Sequence, residues 1–329
     1  MTTLFARGTV SRKVGVAALT VAVAAALGTA LAPQWRRLYE AVGALAAGPL
    51  ALAFGLCLLH RVINSHGWTL VLRALGQPMP TGRGARIWLA SEACRWLPGG
   101  VWSYGSRGVL AARAGVPPML AAVSLVWELI LTVLAWGVVA AFGVVCWEGP
   151  APQAVVAACR SLSARPWLTG LVAVAGVVAL GVLGSKAAGR RLARLSAASR
   201  EVGRTRTDGR ALIGVLGFYI MMAVLNGLTF WQVVRAAPGG DRCPVAVVVA
   251  ANSIGWLVGL FALFAPGGLV VREASIGVLL SGWLPAEQAL TVALAWRAVQ
   301  VAAEVAGCLV LAPSGCSRAE PVPIEGGSV

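Results

Sequence analysis

The 329-residue chain contains little charge: Asp, Glu, Lys and Arg together make up 12% of it. Soluble domains carry about 25% charged residues, so the chain has roughly half the charge that a water-exposed surface requires. Hydrophobic residues make up 58% of the chain, and its mean hydropathy is +0.81. These values exclude a single soluble domain, and also a disordered chain, because disorder requires low hydrophobicity. They predict an all-α, polytopic helical membrane protein.

Acidic residues are scarcer than basic ones, with 12 Asp and Glu against 27 Lys and Arg, which gives a net charge of +15. In a soluble protein this balance would suggest nucleic-acid binding. Here the basic residues lie mostly between apolar runs, as they do in the cytoplasmic loops of membrane proteins. We therefore expect membrane lipids as partners and no nucleic acid.

The sequence lacks the short motifs of catalytic and metal sites. It contains no nucleophile elbow, no Walker loop and no metal-ligand spacing. Its seven cysteines are scattered, odd in number and without a Cys-x-x-Cys pair, so we interpret them as small apolar residues. We expect no enzyme activity, no cofactor and no metal.

Long apolar runs are abundant, and each can cross ~30 Å of hydrocarbon at 1.5 Å per residue. The first run exceeds the apolar stretch of ~7–15 residues in a signal peptide, which favours an uncleaved span. We expect about six to eight transmembrane helices in one membrane domain over residues 1–312, followed by a short disordered tail over 313–329. The runs are Val14–Trp35, Ala41–Leu59, Met119–Val145, Pro166–Ser185, Ala211–Val234, Cys243–Val271 and Gln288–Leu311.

Lysine and arginine alternate in number along the segments outside these runs. From the N-terminus to Arg242, successive segments hold three, two, seven, two, eight and two of them. Cytoplasmic loops carry the excess of Lys and Arg. The alternation predicts a multi-pass protein of the cell (inner) membrane with a cytoplasmic N-terminus and a cytoplasmic loop over Lys186–Arg210.

An internal repeat at an offset of 168 residues is the most informative pattern. Pro98-Gly99-Gly100 aligns with Pro266-Gly267-Gly268, and Pro117 aligns with Pro285. Proline removes a backbone donor and the glycines weaken the helix, so neither tripeptide continues a helix. Each copy predicts a helical arm, a break, a short arm and then, after a proline turn, a full span. The repeat halves are about 41–146 and 211–311.

Two re-entrant, broken-helix hairpins explain these copies better than plain spans do. The first arm, Gly82–Leu97, is too short and too charged to cross the membrane alone, and broken backbone at membrane depth must face protein or water. Three full spans separate the copies, and an odd number predicts an inverted repeat. Ordinary loops at the two tripeptides remain the alternative. The apolar stretch 244–265 could be a full span, or a hairpin arm that bends near Asn252-Ser253.

These residues also resemble a known family. Leu97-Pro98-Gly99-Gly100 with Arg107, Gly115-Val116 and a span bearing Glu128 is similar to the first half of the flippase-like transmembrane region of the lysylphosphatidylglycerol synthase family. Pro266-Gly267-Gly268-Leu269-Val270-Val271-Arg272-Glu273-Ala274, followed by a span with Arg297, resembles its second half.

The resemblance covers about residues 10–312 and implies lipid handling. Leu129 stands where the family usually has an arginine after the glutamate of the middle span. The soluble aminoacyl-transfer domain of the longer members is not expected here, which implies lipid translocation and not lipid synthesis.

Charged residues inside the apolar runs are the candidate binding site, because charges at membrane depth are costly and usually face the interior of a helix bundle. Arg297, Gln300 and Glu304 lie on one face of the last span. Glu128 needs a partner, for which Arg107, Arg272 and Arg297 are the candidates. The predicted substrate-binding residues are Arg107, Glu128, Arg272, Glu273, Arg297 and Glu304.

Arg272 and Glu273 are neighbours that cannot pair with each other, because adjacent residues on a helix point about 100° apart. We expect Arg272 to face a cavity and bind phosphate through its planar fork of donors. Glu273 would pair with Arg297 or with Arg107. The alternative is that these groups only hold helices together.

Other polar residues have simpler interpretations. Glu92 and Arg95 are i, i+3 neighbours and would pair with each other. Asn226, Thr229 and Gln232 form a polar stripe on one helix. His60 and His66 flank the end of a span and are expected at the membrane interface.

The functional prediction is a lipid transporter, or flippase, that moves an anionic or phosphate-bearing lipid between leaflets. The alternatives are a non-catalytic membrane partner of a separately encoded lipid-modifying or glycosyl-transferring enzyme, and a purely structural membrane protein. In the first case the short arms would direct helix N-termini at the membrane midplane to hold a lipid phosphate.

Overall fold

The computed structural model describes residues 40, 43–92, 94, 102–147, 149, 208–262, 268 and 270–311, the last four of these without their side chains. The predicted spans Val14–Trp35 and Pro166–Ser185 lie outside the described residues. So do Pro98, Arg95 and the predicted tail.

The described residues form α-helices and one short 3₁₀ turn, with no strand among them, which confirms the all-α prediction. We number the helices in chain order. They are α1 Ala47–Asn64, α2 Gly67–Ala74, α3 Thr81–Glu92, α4 Trp102–Arg113, α5 Pro118–Val145, α6 Gly209–Ala236, α7 Val245–Phe261, α8 Val271–Leu280 and α9 Ala286–Leu311, with the 3₁₀ turn at Gly240–Arg242.

Local sequence explains where several helices begin. Helix α5 has Pro118 at its first position, where a missing N–H costs nothing. Helix α6 begins after Asp208, whose carboxylate accepts from the N–H groups of Arg210 and Ala211 at 2.9 and 3.4 Å. Both α5 and α6 are 28 residues long and apolar enough to cross a membrane.

Helices α1 and α2 together form one kinked candidate span, Ala47–Ala74, of 28 residues. The sequence predicted a shorter span, Ala41–Leu59, followed by a loop. Because the helix continues to Asn64 and resumes at Gly67, His60 is the fourteenth and His66 the twentieth of the 28 residues of this span, so neither lies at its end. The prediction that they flank a span end was wrong.

Contacts between helix ends define two faces of the bundle. At the first face, the N–H of Ala46 before α1 donates to the carbonyl of Ala236 at the end of α6, at 2.8 Å. Also there, Gly149, after α5, lies against the Trp283 ring, after α8. At the second face, the N–H of Asp208 before α6 donates to the carbonyl of Ala74 at the end of α2, at 2.9 Å.

The first hairpin, α3 with α4, enters from the second face and returns to it. Its start packs on α2, where Gly84 lies against Thr69. Its other end, after α4, places Val116 in one buried cluster with Trp68, Leu72 and Met79. The four residues 114–117 connect α4 to α5, and α5 runs to the first face.

The second hairpin, α7 with α8, enters from the first face and returns to it. Gly143 near the end of α5 lies against Ala246 and Ala250 at the start of α7. Helix α8 ends beside Trp283 at the same face, and α9 then runs to the second face. The predicted inverted arrangement is therefore present in the described residues.

This topology decides the question that the sequence left open at 244–265. Helix α7 has 17 residues, about 25 Å at 1.5 Å per residue, and the chain turns back after it. It is a hairpin arm and not a full span. The chain does not leave the helix at Asn252-Ser253, because α7 is continuous from Val245 to Phe261.

The helix bounds repeat with nearly the offset seen in the sequence. Arms α3 and α7 end at Glu92 and Phe261, short helices α4 and α8 start at Trp102 and Val271, and the following spans start at Pro118 and Ala286. The last pair differs by the 168 residues of the sequence repeat, and the first two pairs by one residue more.

Candidate functional site

A cavity of about 220 Å³ lies where the inner ends of the two hairpins meet the long helices. Glu128 is the eleventh residue of α5 and Arg297 the twelfth of α9, so both lie ~15–17 Å along helices that cross ~30 Å of hydrocarbon. The cavity is therefore at mid-depth. Its charged lining residues are Arg61, Glu92, Arg107, Glu128, Arg272, Arg297 and Glu304.

Arg107, on the short helix α4, is 2% exposed, and all three of its guanidinium nitrogens have protein partners. Nη1 pairs with Glu128, Nη2 pairs with Glu92 at 2.9 Å, and Nε donates to the Ser91 hydroxyl at 2.9 Å. The guanidinium also lies over the Trp88 ring, 5.3 Å from its centroid. This contact is a cation–π interaction.

Arg107 is thus the partner of Glu128 among the three candidates that the sequence offered. Glu128 also accepts from the Trp88 indole N–H at 2.9 Å, so α3, α4 and α5 meet at this carboxylate. Glu92, which the sequence paired with Arg95, forms an ion pair with Arg107. Arg95 itself is outside the described residues.

Arg61 and Glu304 form a second buried ion pair, with Nη1 of Arg61 donating to Oε1 of Glu304 at 2.8 Å. It joins α1 to α9. Arg61 has no predicted site role, because the residue follows an apolar run that ends at Leu59 and therefore resembles a loop residue. The apolar residues after His66, which continue the helix, were the signal that it lies within a span.

Arg272 and Glu273 have different partners, as predicted. Arg272 lines the cavity, and its Nη2 donates to the amide oxygen of Asn252 at 3.1 Å. Oε1 of Glu273 lies 3.8 Å from Nε of Arg297, which is an ion pair beyond hydrogen-bonding distance. Its other oxygen accepts from the backbone N–H of Val270 at 2.6 Å.

The start of α8 has unusual backbone. Val270 has φ 72° and ψ −49°, close to the strained classic γ-turn. Gly268, from the second Pro-Gly-Gly, has φ 70°, and a Cβ there would lie 2.9 Å from the carbonyl oxygen of Gly259. Strained backbone of this kind persists where its surroundings fix it and is common at functional sites.

Aromatic side chains form part of the cavity wall. Trp136 of α5 and Trp256 of α7 both line the cavity and stack, with centroids 4.7 Å apart and planes at 11°. Trp256 and Trp88 occupy equivalent places in the repeat, at the offset of 168. The lining thus combines contributions of both hairpins with a stacked contact between the halves.

The predicted cluster on α9 is confirmed, because Arg297, Gln300 and Glu304 all line the cavity. The three residues of the predicted stripe on α6 have different surroundings. Asn226 lines the cavity, but Thr229 donates to the carbonyl of Leu225 in its own helix, and the Gln232 side-chain oxygen accepts from Arg235 at 3.4 Å.

Five of the six predicted site residues line this cavity, and the sixth, Glu273, lies behind it as the partner of Arg297. Sequence reasoning missed Arg61 and Asn252. In the part of the chain that the structure describes, no group of three or more His, Cys, Asp or Glu side chains could hold a metal ion.

Residues 13–307 match the family model described as the lysylphosphatidylglycerol synthase TM region. The match covers both hairpins and every lining residue of the cavity. No curated protein matches the chain.

Proposed function

The chain belongs to the lysylphosphatidylglycerol synthase TM-region family, and on that basis we propose that it translocates a lipid with a phosphate or other anionic head group between membrane leaflets. The family associates the chain with membrane lipids.

The observation that carries the proposal is the charged cavity at mid-depth between two inverted hairpins. A charged head group at the bilayer centre costs at least ~2.5–3.5 kcal/mol, and a lipid that changes leaflets must bring its head group there. Four arginines and three glutamates line the cavity and can replace the water that the head group leaves. Sites at the junction of inverted repeats with broken helices are typical of transporters.

The size of the cavity supports head-group binding. Pockets for drug-sized ligands enclose ~300–1,000 Å³, and this one encloses about 220 Å³. A head group can occupy it while the acyl chains stay in the surrounding lipid. We assign phosphate binding to Arg272, on the first turn of α8, where the helix dipole also favours an anion. We propose transport without chemical change of the lipid.

The charges at the two faces support the proposed orientation. Exposed basic residues are concentrated at the second face, which carries Arg73, Arg83, Arg86, Arg113 and Arg210 with Asp208. The first face exposes Arg235 and Arg242 together with Asp241 and Glu287. By the positive-inside rule the second face is cytoplasmic, in agreement with a cytoplasmic N-terminus in the cell membrane.

The test is reconstitution of the purified protein in liposomes that contain phosphatidylglycerol labelled on its head group with a fluorophore. A membrane-impermeant quencher added outside bleaches about half of the label in empty liposomes, and a larger fraction if the protein exchanges lipid between leaflets. We expect the wild type to exceed empty liposomes. Arg272→Lys, which keeps the charge but loses the fork, should slow exchange by about tenfold.

Arg113→Lys is the matched control, because Arg113 is exposed at the end of α4. It should exchange lipid like the wild type. Wild-type liposomes that match empty ones would overturn the transport proposal. Exchange that appears only when a lipid-modifying enzyme is added would favour the alternative of a membrane partner protein.

A further inference from the structure

We infer that Asn252 is a positioning residue for the anionic ligand: it holds the guanidinium of Arg272 at the cavity through an uncharged oxygen. The inference rests on the proposed function, because it specifies how the site keeps positive charge for an anionic head group. Asn252 lies on α7, one helix away from Arg272, and does not line the cavity itself.

Asn252 has side-chain partners on three other helices. It is 0% exposed. Its Oδ1 accepts from Arg272 Nη2 on α8 at 3.1 Å and from the Trp296 indole N–H on α9 at 3.0 Å. Its Nδ2 donates to Oδ1 of Asn226 on α6 at 3.0 Å.

The chemistry of these partners fixes the orientation of the amide. Arginine and the tryptophan indole are donors only, so the atom between them must be the oxygen. That oxygen uses both of its acceptor positions, and the amide N–H₂ is directed to Asn226. Rotating the Asn252 side chain by half a turn would place its donors against two other donors, which a buried site disfavours.

The neutrality of this acceptor distinguishes Asn252 from the carboxylates nearby. A carboxylate fixes an arginine and also cancels its charge, whereas an amide oxygen fixes it without doing so. At position 252 the chain carries the amide, next to the arginine that lines the cavity on the first turn of α8.

The test replaces the amide with a carboxylate of nearly the same shape. Asn252→Asp places a negative charge 3.1 Å from Arg272, while the control Gln232→Glu makes the same amide-to-carboxylate change on α6, outside the cavity lining. Binding is measured by isothermal titration of detergent-purified, full-length protein with dihexanoyl phosphatidylglycerol. We expect Asn252→Asp to bind about tenfold more weakly or worse, and Gln232→Glu to stay within about threefold of the wild type.

A double-mutant cycle separates positioning from a general structural effect. Arg272→Gln alone should weaken binding, and adding Asn252→Asp to it should cause no further loss, because the aspartate acts through Arg272. Additive losses would show that Asn252 affects binding by another route and would overturn the inference. Equal binding by Asn252→Asp and wild type would also overturn it.

Protein quality is checked by gel filtration and by the unfolding temperature without lipid. If Asn252→Asp is not monodisperse, Asn252→Ser is used in its place. Serine is a shorter neutral acceptor, so this variant should weaken binding because Arg272 is no longer positioned. The loss should again be seen only where Arg272 is present. A wild type that does not bind the short-chain lipid would overturn the inference. Failure of the proposed function is seen separately, as wild-type protein that binds this lipid but gives no exchange in liposomes.

Discussion

Arg107 shows how a buried charge can be fully committed to the protein. Its three guanidinium nitrogens contact two carboxylates and a hydroxyl, and its planar face lies over Trp88. These contacts fasten the first hairpin to α5. They describe a structural role for Arg107 and Glu128, while the ligand-binding role predicted for both stays a prediction.

Removing the charge of Glu128 should therefore destabilise the protein. Glu128→Gln leaves Arg107 with Glu92 but breaks a buried pair, and such losses cost ~3–5 kcal/mol. We expect a clear fall in the unfolding temperature, followed by tryptophan fluorescence in detergent. Glu287→Gln, at an exposed position on α9, is the control and should leave that temperature unchanged.

Glu273→Gln should fall between these two variants. Its ion pair with Arg297 is longer, at 3.8 Å, and a glutamine oxygen can still accept from the Val270 N–H. Equal unfolding temperatures for Glu128→Gln and Glu287→Gln would show that the contacts of Arg107 contribute little to the stability of the protein.

At the scale of elements, an ion pair between described residues ties each hairpin to the span that follows it, with the signs reversed. In the first copy the arginine is on the short helix and the glutamate on the span; in the second, Glu273 is on the short helix and Arg297 on the span. Each pair therefore joins the returning arm of a hairpin to a membrane-spanning helix.

Gly268, the last residue of the second Pro-Gly-Gly, is required by close backbone contact. Gly268→Ala would combine a positive φ with a Cβ 2.9 Å from the Gly259 carbonyl oxygen, and neither strain can be relieved by a side-chain rotation. We expect a lower unfolding temperature and slower lipid exchange. Gly277→Ala, on α8 of the same hairpin, has its nearest atoms at 3.9 Å and should behave like the wild type. Similar losses in both variants would mean that the contact at Gly268 is not limiting.

At the scale of the whole molecule, the inverted hairpins place the end of α9 at the second face. If the second face is cytoplasmic, as we propose, we expect the end of α9 to be cytoplasmic as well.

Cysteine labelling of intact cells tests this orientation. Against a background in which only Cys243 is retained, Arg242→Cys at the first face should react with a membrane-impermeant maleimide, and Arg113→Cys at the second face should not. Cys243 gives little background, because it is 2% exposed and burial raises the pKa of its thiol to about 11, so the reactive thiolate is scarce. Labelling of Arg113→Cys without labelling of Arg242→Cys would reverse the orientation.

Composition and the spacing of Pro-Gly-Gly were sufficient to predict the helical membrane class, the two broken hairpins and their inversion. Hydrophobicity and helix breaking are local properties that can be read from short segments. The inversion follows from the odd number of apolar runs between the two copies. The same reasoning predicted Arg272, Arg297 and Glu304 as site residues, because a charged side chain at membrane depth usually faces the interior of the helix bundle.

Only the tertiary structure decided which buried arginine pairs with which glutamate. Arg61 resembled a loop residue because its helix continues past a polar stretch at Ser65-His66, and only its contact with Glu304 identifies it as part of the site. The sequence suggested a bend near Asn252, because an asparagine in an apolar helix is locally unfavourable. Its partners lie 20, 26 and 44 residues away in the chain, and contacts at such separations depend on how helices pack, which no local pattern encodes.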